Sequence, residues 1–151
     1  MMLFILLLTT SDAAAVVPHQ EALMDEIERT IVLPKGANPF QAYGRNYAFA
    51  DDHKIIATYV LPSPPLDLSK PGSCTSAAPP NFEGRPCTKE EVDELLARDA
   101  RAFAAQTKAG TRRWYSDRSK LPLISDGGCM MVTVEYDFAN HRFLTVACNG
   151  L

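Results

Sequence analysis

The sequence lacks an apolar run of about 20 residues, the length that a membrane-spanning helix requires. It also lacks a strong charge of either sign, because its net charge is only −3 in 151 residues. That balance argues neither for a nucleic-acid partner nor for an acidic tail. No internal repeat is present. With 46% hydrophobic and 22% charged residues, the chain has the composition of one globular domain with a modest core.

The motifs of several enzyme classes are missing as well. There is no G-x-S-x-G, no H-E-x-x-H and no phosphate-binding loop. The cysteines fall into two pairs with twelve and eighteen intervening residues, whereas a zinc site needs short spacings such as C-x2-C. The sequence therefore predicts neither a metal nor a cofactor, and no catalytic residue set.

The N-terminal residues differ from the rest of the chain. An apolar run, Leu3 to Leu8, is followed by three small residues, Ala13 to Ala15. This order is typical of a secretory signal peptide, although no basic residue precedes the run; a short buried helix is the alternative. We expect residues 1–15 to be a signal peptide and residues 16–151 to form a single periplasmic or secreted domain.

The four cysteines agree with export, since disulfides persist in oxidising compartments. Four cysteines allow three connectivities. We expect Cys74 to pair with Cys87 and Cys129 to pair with Cys148, because each pair brackets one local element of the chain.

Two helices are predicted from apolar residues that recur at helical spacing, over residues 18–32 and 88–108. Acidic residues crowd the first turns of both, where the helix dipole favours them. The second helix has the stronger signal, because Thr88 and Glu91 have the spacing of a capping box.

Strands are predicted on both sides of a proline-rich segment. Residues 45–50 and 54–61 form one hairpin, whose second arm is apolar on both faces. Residues 62–86 contain seven of the eleven prolines, so this segment is neither a helix nor a central strand. A short edge strand is predicted at 112–115.

The C-terminal segment predicts a second hairpin, because apolar residues alternate from Met130 to Asp137 and strand formers recur from Arg142 to Cys148. One register pairs Asp137 with Arg142 and permits the C-terminal disulfide if a bulge closes a diagonal gap. The other pairs Asp137 with His141 and packs the apolar faces better, but places the two cysteines on opposite faces. A one-residue slip turns every side chain over, so both registers stay open.

These elements together predict an α+β fold. It consists of a small antiparallel sheet, made of two β-hairpins and about four to five strands, with two helices packed on it and two disulfides. The proline-rich loop at 62–86 lies inside this single domain.

Two surface features are candidate sites. Between residues 101 and 120 there are six basic residues and one acid, and aromatic residues lie among them. The candidate binding surface for an acidic partner is Arg112, Arg113, Trp114 and Tyr115; an ordinary solvated face is the alternative. Asp51, Asp52 and His53 carry the groups of an acid–base or metal site, but they also have the composition of an ordinary turn.

The chain also resembles small exported bacterial proteins of uncharacterised function. The resemblance rests on four short segments: Leu33-Pro34, Val60-Leu61-Pro62, Leu121-Pro122-Leu123 with Asp126-Gly127-Gly128-Cys129, and Cys148-Asn149-Gly150. It implies no activity, cofactor or site. We therefore expect a non-enzymatic binding or accessory protein of the cell envelope, whose partner is an envelope protein or an acidic surface. A small envelope hydrolase built on Asp51, Asp52 and His53 is the alternative.

Overall fold

The computed structural model describes residues 13–70, 72–77 and 83–150. This part of the chain contains two α-helices, a five-stranded sheet, a two-stranded sheet and two disulfides. The predicted α+β, disulfide-bonded class is therefore confirmed. The apolar run that predicts a signal peptide, Leu3 to Leu8, lies outside the described residues.

The helices are α1 (Ala13–Thr30) and α2 (Lys89–Ala105). The strands, in chain order, are β1 (Gly44–Phe49), β2 (Lys54–Val60), β3 (Thr75–Ala77), β4 (Gly84–Pro86), β5 (Arg112–Trp114), β6 (Gly128–Asp137) and β7 (Arg142–Asn149). Strands β3 and β4 form the small sheet by themselves, within the proline-rich segment, and the large sheet has the order β5-β1-β2-β6-β7.

The large sheet is mixed rather than wholly antiparallel. Both predicted hairpins, β1–β2 and β6–β7, are present, and β2 pairs with β6 antiparallel. Strand β5 instead runs parallel to β1 at the edge. A parallel neighbour requires a long crossover connection, and the segment from β2 through α2 supplies it, so the spacing of local elements alone does not reveal this pairing.

Helix α1 covers one face of the large sheet. It begins at Ala13, before the predicted start at Pro18, and it passes through the predicted cleavage position after Ala15. Its apolar stripe of Leu23, Met24 and Ile27 is buried. The stripe packs against sheet residues that share this face, namely Tyr47, Ile55, Ala57, Tyr59, Val132, Val134 and Tyr136. Each fully buried side chain of this kind contributes roughly 1.5–3 kcal/mol.

Helix α2 differs from α1, because none of its residues is buried or belongs to the core. Its predicted capping box is confirmed, with Thr88 and Glu91 each accepting the other's backbone N–H. It contacts the proline-rich segment, where Asp99 accepts the N–H of Leu66 at 2.8 Å. Asp99 interrupts the apolar stripe of this helix, and an ionised carboxylate resists burial.

The C-terminal hairpin follows the first predicted register next to its loop and neither predicted register beyond Leu144. Next to its loop, Asp137 pairs with Arg142. An irregularity at Leu144 then shifts the register by one residue, so Val134 faces Val146. A second irregularity between Gly128 and Val132 lets the C-terminal disulfide form, with its two Cα atoms 4.5 Å apart. Two bulges thus reconcile apolar pairing with the disulfide, which neither uninterrupted register achieves.

A buried ion pair fixes α1 against β1. Glu28 Oε1 accepts hydrogen bonds from Nε of Arg45 and from the hydroxyl of Tyr47, both at 2.8 Å. Only 5% of Arg45 is exposed. Its guanidinium also donates to the carbonyl of Gly110 and lies 4.5 Å from the ring centre of Phe40. A buried guanidinium needs an anionic partner, so Glu28 sets where α1 lies on the sheet.

Two tyrosines extend this cluster. The hydroxyls of Tyr47 and Tyr59 lie 2.9 Å apart, and burial raises the pKa of both well above the ordinary value. Both therefore keep their protons at neutral pH. Because the carboxylate of Glu28 only accepts, Tyr47 donates to Glu28 and Tyr59 donates to Tyr47.

Replacing Glu28 with Ala should lower the free energy of unfolding by about 3 kcal/mol or more, because it leaves Arg45 buried without an anion. Glu28→Gln keeps a neutral acceptor and should cost less. Urea unfolding followed by the fluorescence of the single tryptophan, Trp114, measures both. Arg29→Ala, at the exposed neighbouring position, is the control and should change stability by less than about 0.5 kcal/mol. Equal stability of Glu28→Ala and Arg29→Ala contradicts this role of the ion pair.

Candidate functional site

The structure separates the four residues of the predicted binding surface into two pairs. Arg112 points toward α1, where its guanidinium binds the carboxylates of Glu21 and Asp25 and lies 3.6 Å from Glu28. Trp114 points the same way. Both side chains are thereby engaged within the fold, and Arg112 fastens the edge strand β5 to α1.

The ring of Trp114 is part of an aromatic cluster on the α1 side of the sheet. It stacks on Tyr47 with 6.3 Å between ring centres and contacts Phe49 edge-on at 4.8 Å. Such pairs contribute roughly 0.5–1.5 kcal/mol beyond the area that they bury. Half-buried Trp114 therefore stabilises the edge of the sheet.

Arg113 and Tyr115 lie on the opposite side and point outward. The guanidinium of Arg113 is 5.8 Å from the ring centre of Tyr115 and donates to the carbonyl of Ala105 at 3.1 Å. Ala105 ends α2, and Phe103 in the same turn is 46% exposed. The outward half of the predicted surface is therefore continuous with the C-terminal end of α2.

Exposed arginines and exposed Phe103 lie on different sides of α2, because Arg101 and Phe103 are two residues apart on one helix, and Arg98 and Arg101 line the side next to the β3–β4 hairpin. Arg98 and Arg101 lie on this helix and Lys108 follows it; all three are exposed. Within the described ranges none of them forms a salt bridge. We define the α2 face as Arg98, Arg101, Phe103, Arg113 and Tyr115. Its apolar member, Phe103, belongs to the apolar stripe from which the second helix is predicted, and Asp99 within that stripe is the sequence signal that the stripe is not buried.

A cleft of about 630 Å³ separates α2 from the β3–β4 hairpin. Arg98, Arg101 and Leu95 line its helix side, and the Cys74–Cys87 disulfide lies at its other wall. Closing a loop of this size stabilises a chain by about 3 kcal/mol in the chain-entropy model. The disulfide therefore supplies the order that the proline-rich segment cannot obtain from a core.

The Asp51-Asp52-His53 cluster is an exposed turn between β1 and β2. Asp51 Oδ1 accepts the backbone N–H of His53 at 2.9 Å, and Oδ2 pairs with Lys54 at 2.9 Å. These partners hold the pKa of Asp51 below its usual range. Asp137 lines the same hollow from the neighbouring loop. Within the described ranges no three His, Cys, Asp or Glu side chains are placed to hold a metal ion.

A second polar cluster, which the sequence did not predict, joins α1 to the C-terminal hairpin. Glu26 Oε1 accepts a hydrogen bond from the hydroxyl of Tyr136 and lies 2.5 Å from Nδ1 of His141. Both contacts lower the pKa of Glu26, while burial and the nearby carboxylate raise the pKa of Tyr136 to about 12. No local pattern marks this cluster, because Glu26 and His141 lie 115 residues apart.

Comparison with protein-family models, curated proteins and solved structures finds no match for the chain. None of the helices in the described ranges has the length and apolar character needed to cross a membrane. Any proposal for the function of this protein therefore rests on the geometry of the described residues.

Replacing Glu26 with Gln should destabilise the protein by about 1–2 kcal/mol at pH 7, because a hydrogen bond to a charged acceptor becomes a neutral one. The folded-state pKa of Glu26 is lowered, so its contribution is fully present above the unfolded value of about 4.3 and is lost as the pH falls through the lower folded value. Urea unfolding of both proteins between pH 3 and pH 7 measures this difference. Exposed Glu90→Gln is the control. A difference that stays constant below pH 4 contradicts the assignment.

Proposed function

We propose that this protein is an exported, disulfide-bonded binding domain that docks onto a protein of the cell envelope and catalyses no reaction itself. Two disulfides support a periplasmic or secreted location, since such bonds persist in oxidising compartments. The body formed by α1 and the large sheet is the scaffold in this proposal. The α2 face is the binding surface.

The observation that carries this proposal is the unburied state of α2. A helix of 17 residues with an apolar stripe contributes no buried residue to the fold. Most amphipathic helices of small domains pack their stripe on the core. An aromatic residue, Phe103, is exposed here in the turn that Arg113 contacts through the carbonyl of Ala105, and exposed aromatic and arginine residues are enriched where proteins bind one another.

The charge of the α2 face indicates the chemistry of the partner. Arg98, Arg101 and Arg113 are exposed and form no salt bridge within the described part of the chain. A surface with complementary negative charge gains both affinity and faster association from these groups. We therefore propose an envelope protein that presents acidic groups to these arginines and a separate apolar contact to Phe103.

A hydrolase centred on Asp51, Asp52 and His53 is the alternative. The hollow beside this turn is about 500 Å³ in volume and brings Asp137 close to the three residues. However, Asp51 and Asp137 already bind partners within their own loops, Lys54 and Asn140 respectively. A histidine that acts as a general base is held in place by a hydrogen bond to a second group, such as a carboxylate, and neither Asp51 nor Asp137 makes such a bond to His53. The geometry thus favours binding over hydrolysis.

Charge reversal at an arginine of the α2 face tests the proposal. The oxidised protein is immobilised and its captured partners are quantified from a periplasmic extract at low and high salt. Arg101→Glu should reduce capture of a specific, acidic partner at least tenfold, and Phe103→Ser should act similarly, while Lys35→Glu, an exposed reversal outside the α2 face, should have no effect. Capture that is equally lost in Lys35→Glu, or unchanged in Arg101→Glu, overturns the assignment of this surface.

The alternative has its own measurement. If the turn at residues 51–53 is catalytic, His53→Ala should abolish a hydrolytic activity found by screening ester, amide and phosphate substrates, while the thermal melting curve stays unchanged. We expect the unchanged protein to show no activity above the rate of the reaction mixture without protein. A turnover that requires His53 contradicts the binding proposal.

A further inference from the structure

We propose that the two disulfides have different roles. Cys74–Cys87 is a reversible thiol–disulfide exchange site, which a dithiol reductant opens while the protein stays folded, whereas Cys129–Cys148 is a permanent structural bond. This inference concerns the redox chemistry of the chain and does not depend on the proposed binding function. It rests on the surroundings of the two bonds and on what each bond holds together.

The Cys129–Cys148 bond belongs to the body of the protein. It joins β6 to β7, and Cys148 packs against the hydrophobic core. On its other side, the hydroxyl of Tyr43 donates to the carbonyl of Cys129 at 2.7 Å. Tyr43 is fully buried. All four cysteines are half-buried, so the two bonds differ less in exposure than in what they hold: the Cys129–Cys148 bond joins strands that pack on the core.

The Cys74–Cys87 bond lies at the wall of an open cleft. Both residues line the space of about 630 Å³ between the β3–β4 hairpin and α2, and neither belongs to the core. Arg98 and Arg101 line the same cleft, together with Glu91, which is paired with Arg85, and Glu94. Neighbouring cations stabilise a thiolate and make a cysteine more reactive in exchange. The cleft therefore provides access for a dithiol, and its two arginines are the groups that stabilise the leaving thiolate.

Opening this bond has a local consequence because little else holds the hairpin. Strands β3 and β4 share three residue pairs, and one of the residues in them, Pro86, has no N–H to donate. Glu91 of α2 links to the hairpin through Ser76 and through two hydrogen bonds from Arg85, and the Arg85 contact is the main cause that lowers the pKa of Glu91 to about 2. The side chains of Arg85 and Glu91 are exposed, and exposed pairs contribute little. Reduction therefore releases the hairpin from α2 without disturbing the core.

The exchange is an ordinary two-electron step. A thiolate of the dithiol attacks Sγ of Cys74, which forms a mixed disulfide and releases Cys87 as a thiolate that takes a proton from water. The second thiolate of the reductant then attacks the mixed disulfide and releases Cys74. The products are two protein thiols and the oxidised, disulfide form of the reductant. An oxidising dithiol–disulfide protein of the envelope reverses the reaction.

Stepwise reduction of the oxidised protein under native conditions tests the inference. The protein is incubated with increasing dithiothreitol, free thiols are trapped by alkylation, and each cysteine pair is quantified by peptide mass mapping. We expect Cys74 and Cys87 to be modified at least tenfold faster than Cys129 and Cys148. Hydrogen exchange of the partly reduced protein should show faster exchange over 83–105 and unchanged protection in β6 and β7. Simultaneous reduction of both pairs, or earlier reduction of Cys129–Cys148, overturns the inference.

Two variants separate chemistry from folding. Arg98→Ala/Arg101→Ala keeps both disulfides and should slow the reduction of Cys74–Cys87 several-fold, while Lys35→Ala should not. Cys74→Ser/Cys87→Ser reproduces the open state, so its β6–β7 protection should equal that of the oxidised protein. A double serine variant whose sheet has lost protection shows that this disulfide holds the core, which contradicts the inference.

Discussion

The ion pair between Glu28 and Arg45 is the constraint on which the body of the protein depends. Arg45 is the second residue of β1 and lies on the face that α1 covers, and a guanidinium cannot be buried there without an anion. Glu28, the residue that follows the buried Ile27, supplies that anion. The same carboxylate accepts from Tyr47, so one side chain fixes the axial position of the helix, the orientation of a tyrosine pair and the docking of β1.

The molecule consists of two parts that are stabilised by different means. The body contains α1, the large sheet and the C-terminal disulfide, and it holds the hydrophobic core. The second part contains the proline-rich segment, the β3–β4 hairpin and α2, and it is held by capping, polar contacts and the other disulfide. A part without a core depends on covalent and polar links, and it presents apolar and basic side chains that a core would otherwise cover.

The sequence predicted the elements whose signals are local. Both large hairpins, the capping box at Thr88 and the edge strand at Arg112 depend on neighbouring residues, and they were found. The parallel docking of β5, the bulges of the C-terminal hairpin and the Glu26–His141 contact depend on residues far apart in the chain, so spacing did not reveal them. In the Arg112–Tyr115 segment, alternate residues point to opposite sides because the segment is a strand. Which of the two sides is buried depends on where α1 packs, and the sequence does not show this.

The bulge at Leu144 has a consequence for how the protein behaves among copies of itself. Strand β7 forms the outer edge of the large sheet, and a regular edge strand of this length presents a row of free backbone groups that another strand can join. The bulge breaks that row midway and twists the strand locally. Leu144, whose bulge places Val134 opposite Val146, thereby also hinders edge-to-edge aggregation between copies of the protein.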